Sequence, residues 1–194
     1  MIEPPPIHLT TDRLVLRMAS PREADVVADY FARNRAHFAP WDPRRPEGFY
    51  TARWWRERLQ GDAQAALSDR GYRLFVLTHD EPARVVGQTS FANVVRGAFH
   101  SCHLGFSIDR ALEGRGFMRE ALTRAIAFAF DDLQLHRIEA NHRPENVRSA
   151  ALLRRLGFVP QGYARDYLRI DGAWRDHVLT ALVNHAWSDP EDDR

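Results

Sequence analysis

A chain of 194 residues, 44% hydrophobic and 27% charged, is long enough to bury a core as one domain and has an ordinary globular composition. Its 27 Lys and Arg against 26 Asp and Glu leave a net charge of +1, which gives no reason to expect nucleic-acid binding. The lone Cys102 excludes an internal disulfide, the start Met-Ile-Glu-Pro-Pro-Pro lacks the pattern of a secretory signal, and no apolar run approaches the roughly 18 residues of a membrane span, so a reducing, cytoplasmic setting is expected.

The Pro-rich residues 1–8 and the acidic residues 188–194 read as mobile segments around one domain at 9–187. Residues 13–17 are short and apolar-centred, a first strand. Ser20, Pro21 and Glu23 supply the hydroxyl, the first-turn proline and the N3 carboxylate of a capping box, opening a helix expected to reach Arg35. Trp54, Trp55 and Leu59 recur at helical spacing and mark a second helix over 50–59. Strands follow at 72–78, 85–95 and 101–108, rich in β-formers and bounded by turn residues. A glycine-rich segment then leads into a helix over 121–130, a strand over 137–141, and a helix over 147–156 ended by Gly157. Two last strands, 163–170 and 173–183, meet at the hairpin signal Asp171-Gly172. Helices, antiparallel strands, a βαβα unit and a final hairpin indicate a mixed α/β layered fold.

The informative chemistry lies between the strand ending at Ile108 and the helix after it. Glu113-Gly114-Arg115-Gly116-Phe117-Met118 places glycines, several outward N–H groups and a helix N-terminus in succession, with Arg115 adding a full charge. Such a segment suits a phosphate or pyrophosphate, although Gly-x-Gly alone is better read as a plain tight turn. The third glycine of a dinucleotide fingerprint is absent, and no Gly-Lys-Ser/Thr follows. The nine histidines show no zinc spacing, so no metal is expected, and no Gly-x-Ser-x-Gly elbow is present. Cys102 sits in an apolar strand, where an inert buried thiol is the expectation. Glu139 is expected to pair with an arginine, and Asp176 and His177 are open between a site role and support of the last hairpin.

The glycine segment resembles the pyrophosphate loop of GNAT acetyltransferases, Gln/Arg-x-x-Gly-x-Gly/Ala. It departs at Glu113 and Met118, and Glu113 is expected to turn its side chain away and offer only backbone. Leu9-Thr-Thr-Asp-Arg-Leu-Val-Leu-Arg17, Asn93-Val-Val-Arg-Gly-Ala-Phe99 with Leu104-Gly105, Asn146-x-x-Ser149 followed by Leu156-Gly157-Phe158, and Asp171-Gly-Ala-Trp-Arg-Asp-His-Val-Leu179 are similar to the RimJ-like branch that modifies ribosomal-protein N-termini. The likeness covers about residues 8–187. It implies an α/β (α+β) GNAT fold, with a central mixed, mostly antiparallel sheet splayed at the acetyl-CoA site and flanked by helices.

On that resemblance acetyl-CoA is the cosubstrate. Phe106, Ser107 and Ile108 would offer backbone to pantetheine, and Gly114, Arg115, Gly116, Phe117 and Met118 would hold the pyrophosphate. Asn146 would orient the cofactor or cap its helix. Ser149 would bind the cofactor and give a proton to the leaving thiolate, because Leu153 stands where many GNAT enzymes carry a tyrosine. Trp41, Phe91, Asn93 and Asp166 are the candidates for the acceptor groove. An α-amine, with a pKa of about 7.7–8.0, is roughly a quarter neutral near pH 7.5, whereas a lysine amine is neutral only about 0.1% of the time. An enzyme acting on α-amines therefore needs no dedicated side-chain base. The resemblance points to the N-terminal α-amine of a protein, a ribosomal protein with the small subunit as partner. A small amine (antibiotic, polyamine or amino acid) and a non-catalytic acyl-CoA sensor or ribosome-assembly factor are the alternatives, and oligomeric state stays open.

Overall fold

The computed structural model describes residues 2–188, so of the acidic segment 188–194 only Ser188 lies within it. Its spine is a single sheet. β1 (His8–Thr10), β2 (Leu14–Arg17), β3 (Gly71–Thr78), β4 (Val85–Val95) and β5 (Ser101–Ile108) are successively antiparallel. β6 (Arg137–Glu139) is parallel to β5, and the hairpin of β7 (Val159–Ile170) and β8 (Ala173–Val183) completes the order β1-β2-β3-β4-β5-β6-β8-β7. β3 reads as a continuous apolar run because both of its faces are covered: Leu74 and Val76 face one core cluster and Phe75 the other.

The helices α1 (Ala24–Arg33), α2 (Arg35–Phe38) and α3 (Ala52–Leu67) cover one face. The capping box at Ser20 forms as the sequence predicts, but it caps a 3₁₀ turn, Pro21–Glu23, that leads into α1. The helix also stops short of Arg35. Asn34 Nδ2 donates to Tyr30 O at 2.9 Å and Asn34 Oδ1 accepts from Arg110 N at 3.1 Å, so this side chain competes with the helical backbone and divides α1 from α2. α3 starts at a Thr51 cap and runs well past residue 59, its seam set by Trp55, Leu59, Ala63 and Ala66. The Phe31 ring stacks on Trp55 at 4.6 Å and 10°, which locks α1 to α3.

On the opposite face α4 (Phe117–Ala127) and α5 (Val147–Arg155) pack Met118, Leu122, Ile126 and Leu153 against Leu14, Val86, Leu104 and Ile138. α4 begins at Phe117, four residues before the sequence signal, and ends in a π-helical turn, Phe128–Asp132. His8 pairs with Arg17, so the ordered domain starts one residue earlier than the apolar pattern indicates. The regular pairing of β6 ends at Glu139 instead of Asn141, and β7 begins at Val159 instead of 163. Asp171 and Gly172, both at positive φ (47° and 80°), turn the last hairpin. Among the described residues no helix is long and apolar enough to cross a membrane.

One buried carboxylate fastens the helical layer to the end of β5. Asp109, 5% exposed, accepts from Ala111 N at 3.1 Å and from Arg33 Nε at 2.9 Å. Burial pushes its pKa up, but these bonds outweigh burial and hold it below the ordinary carboxylate value. A depressed carboxylate stabilises the fold above its unfolded pKa, and that contribution is lost as pH falls through the folded value. Asp109→Asn should therefore lower unfolding free energy at pH 7 by about 1.5–3 kcal/mol. The gap to the native chain should close in denaturant titrations at successively more acid pH.

Candidate active site

The site starts from a parting of strands. β5 and β6 pair only where Ser101, Cys102 and His103 meet Arg137, Ile138 and Glu139. Beyond that point β6 turns to β8: Ala140 N donates to Thr180 O at 3.0 Å, Asn141 Oδ1 accepts from Thr180 N at 3.1 Å, and His142 bridges Val178. β5 runs on through residues 104–108 bonded to β4 alone. Its other edge carries backbone donors and acceptors with no strand beside them, a template for an extended, amide-bearing ligand. Phe106, Ser107 and Ile108, all half-buried, lie along it.

The glycine loop closes one end of this cleft. Gly114 and Gly116 have φ of 72° and 82°, and a Cβ on Gly114 would meet nothing within 4 Å, so the loop faces open space. Gly116 precedes α4 without any side-chain cap, which leaves first-turn N–H groups free for an anion. Arg115 is exposed, its guanidinium 5.6 Å from the Phe117 ring. Met118 is buried in the core, so only its backbone faces the loop. The loop is braced from behind by Arg13. Its Nε donates to Glu120 Oε2 at 2.6 Å, its Nη1 to Arg115 O at 3.3 Å, and its guanidinium lies 4.1 Å from the Phe117 centroid. Thr11 Oγ1 donates to the same carboxylate at 2.6 Å. Glu113 points its carboxylate across the cleft mouth, to Arg148 on α5 and to His37 Nε2 at 3.2 Å.

The other flank is the start of α5. Asn146 caps it, its Oδ1 accepting from Ser149 N at 3.1 Å. The half-buried Ser149 hydroxyl has no hydrogen-bond partner among the described residues. Leu153 is 1% exposed in the core.

On the face opposite α4, Tyr30 reaches Ser107: the two hydroxyl oxygens are 2.8 Å apart. Burial pushes the Tyr30 pKa far up, so its O–H stays protonated. Facing it across the parted strands, Asn141 Nδ2 donates to Tyr167 Oη at 3.3 Å, and the Tyr167 ring lies 5.5 Å from His177. His177 Nδ1 is 2.9 Å from Arg175 O, which fixes the proton on that nitrogen, and burial lowers its pKa. Trp41, 38% exposed, lies under the Arg143 guanidinium at 5.5 Å, while Arg143 Nη1 donates to Pro40 O at 2.7 Å. A cavity of about 260 Å³ beside this loop is lined by Phe31, Phe38, Asp42, Arg45 and Tyr50.

The remaining sequence candidates fall elsewhere. Phe91 is 1% exposed within the core and presents no surface to a groove, a correction to its reading as a groove residue. Asn93 stands at φ 52° in the bulge of β4, beside Ser101–His103 and so at the opposite end of β5 from the glycine loop. Asp166, at φ 45° in the β7 bulge, is exposed and donates its N–H to Asp176 Oδ1 at 2.9 Å. Glu139 pairs with Arg137 Nε at 2.8 Å. Burial lifts the Cys102 thiol to about 12, so it is no nucleophile. Among the described residues no three His, Cys, Asp or Glu are grouped to hold a metal ion. Tyr30, Arg13, Glu120 and Arg148 escape the sequence reading. Only the first carries a signal, as a polar-tipped ring within the apolar stripe of α1.

A family model described as the acetyltransferase (GNAT) domain matches residues 13–159. The [ribosomal protein uS5]-alanine N-acetyltransferase of Escherichia coli K12 is 46% identical over 184 residues, covering 95% of this chain and 94% of the relative. Among solved structures, the ribosomal-protein-S5-alanine acetyltransferase of Vibrio fischeri superposes with a TM-score of 0.90 at 36% identity, covering 94% of this chain and all of the other. Mycobacterium smegmatis RimJ in complex with CoA-disulfide does so at 0.83 and 31%, covering 91% and 84%.

The brace on the loop has a measurable consequence. Arg13→Gln removes the bond to Arg115 O and the cation over Phe117, and should speed hydrogen exchange of the amides at 114–118 selectively over those of α3. The destabilisation should stay near about 1 kcal/mol, because the pair is half-exposed. Uniform exchange across both segments would refute the brace.

Proposed function

The chain belongs to the GNAT acetyltransferase family, and within it we propose that the protein transfers the acetyl group of acetyl-CoA to the N-terminal α-amine of a ribosomal small-subunit protein. The observation that carries this reading is the 46% identity to the E. coli uS5-alanine enzyme across nearly the whole of both chains. A cytoplasmic location follows from such an acceptor.

Acetyl-CoA fits the residues present. The unpaired edge of β5 at Phe106, Ser107 and Ile108 matches the two amides of pantetheine, and the open loop at 114–118 with the uncapped start of α4 matches the pyrophosphate. Asn146 spends its Oδ1 on the helix cap and keeps its Nδ2 for the cofactor. When bound, acetyl-CoA supplies a thioester whose carbon–sulfur bond breaks as the acceptor nitrogen bonds to the acetyl carbon. The backbone N–H groups near Ser107 and Ile108 stabilise charge growing on the carbonyl oxygen. The Ser149 hydroxyl gives its proton to the departing sulfur and regains one from solvent. The ammonium proton formed by attack goes to water.

Three carboxylates around the acceptor side are already engaged, which fits a reaction without a dedicated base. Glu139 holds Arg137 and lies 3.5 Å from His103, Asp42 holds Arg45, and Asp176 accepts from Tyr163 Oη at 2.7 Å. Trp41, Arg143 and Tyr167 frame the approach of the acceptor. Among the described residues Arg175 Nε is buried with no hydrogen-bond acceptor, a donor suited to a peptide carbonyl.

The deciding experiment incubates the protein with acetyl-CoA and peptides beginning Ala, Ser or Met, beside one whose only free amine is a lysine, and follows thiol release and peptide mass. Acetylation confined to α-amines is expected; modification of lysine or of small amines alone would move the assignment to the small-amine reading. CoA binding without transfer to any amine would favour a sensor. Ser149→Ala should lower kcat about 100-fold while CoA affinity stays within about threefold. Glu139→Gln, Asp166→Asn and Asp176→Asn should each keep turnover from pH 7 to 9.5, and abolition by any one, with fold and CoA binding intact, would make that carboxylate the base.

A further inference from the structure

A carboxylate in a loop that receives phosphates demands an explanation. Glu113 is one-quarter exposed and does not turn back into solvent: it reaches Arg148 in the first turn of α5 and His37 of α2. Glu113 belongs to the segment after β5, and Arg148 to the segment after β6. The ion pair therefore ties together the two flanks that part beyond residues 103 and 139. It crosses the cleft where the unpaired edge of β5 meets the glycine loop. Arg148 has 76% of its side chain exposed and no other carboxylate partner among the described residues, so it is free to swing.

We propose that Arg148 is a phosphate-binding residue held in reserve by Glu113, the pair closing the mouth of the cleft until a phosphate of the cofactor displaces the carboxylate and takes the guanidinium. This inference rests on the reading that the cleft takes acetyl-CoA. The exchange is favourable on simple grounds. An ion pair so exposed on its arginine side is weak and breaks cheaply. A guanidinium binds phosphate oxygens in a bidentate fork, and the displaced Glu113 keeps His37 as a neighbour. Glu113 then sets how tightly the cofactor and the product CoA are held. It opposes anion binding twice, by sequestering Arg148 and by its own charge.

The test is calorimetric titration of CoA into the native chain, Glu113→Gln, Arg148→Gln and the double variant, with thermal melts to confirm that each is folded. Glu113→Gln should tighten CoA about 5-fold or more, and Arg148→Gln on that background should weaken it about 10-fold. The gain from Glu113→Gln should shrink when Arg148 is already absent, because no guanidinium remains to be released. S-acetylpantetheine, which lacks the phosphates, should bind all four chains alike. An equal gain from Glu113→Gln in both backgrounds would mean that its charge acts alone and would overturn the transfer of Arg148. So would a Glu113→Gln chain that binds CoA no more tightly than the native one. Failure of the native chain itself to bind CoA would overturn the cofactor assignment and this inference together, which keeps the two failures distinguishable.

Discussion

The arrangement depends on two parallel strands that stop pairing after three residues. Parallel neighbours in a sheet normally stay hydrogen-bonded along their length, and a free edge inside a domain leaves donors and acceptors unsatisfied. Here β6 is drawn away because β8 offers it more. Asn141 and His142 find partners in Thr180 and Val178, and the Thr180 hydroxyl also bonds Ala140 O. β5 meanwhile is held straight by β4. Gly87 helps that approach: a Cβ there would lie 3.0 Å from both Ser107 O and Ile108 Cδ1, a contact tight enough to push the strands apart. The unpaired edge is the cost of the fold, and it is also the part of the fold that can hold a ligand.

A second level of order is ionic. Three carboxylates follow one another around the glycine segment, and each is matched by an arginine from a different part of the chain: Asp109 by Arg33 of α1, Glu113 by Arg148 of α5, and Glu120 by Arg13 just before β2. Acidic groups beside an anion site would repel the ligand if left bare. Pairing removes most of that field and leaves the backbone N–H groups and helix end as the local electrostatic feature. The pairs differ in burial, and so in task. Asp109 is nearly inaccessible and structural, Glu120 is intermediate and holds the loop, and the Glu113–Arg148 pair is open enough to exchange.

How much of this was legible in the sequence follows from the range of each interaction. Strands β4, β5 and β8 coincide with their expected bounds because β-formers there are bracketed by turn residues. The glycine loop announced itself by composition. The apolar pattern of α3 ends early because its second half, with Gly61 and several polar residues, carries little apolar stripe beyond Ala63 and Ala66. The three residues of β1 and the extension of β7 to Val159 are fixed by their partners, not by their own propensity. Phe91 shows the limit on site residues, since alternation along a strand reveals two faces without saying which is covered. The contacts that place the loop join residues far apart in the chain, Arg13 to Glu120 and Tyr30 to Ser107, and no local pattern encodes them.

The absence of a tyrosine at position 153 becomes intelligible in this frame. Leu153 is sealed in the core between α5 and the sheet, where a phenolic hydroxyl would lack a partner. One turn earlier on the same helical face stands Ser149, nearer the cleft, with its backbone N–H occupied by Asn146 and its hydroxyl unengaged. On the proposed reading, proton donation to a leaving thiolate would move by one turn instead of disappearing. On the acceptor side Glu139 and Asp176 are bound in an ion pair and a hydrogen bond, so on the proposed reading neither serves as a base. Turnover in such an enzyme should follow the ionisation of the acceptor amine, and that favours the amine that is substantially neutral at physiological pH. Selectivity for an α-amine over a lysine would then come from the absence of a base as much as from the shape of the groove.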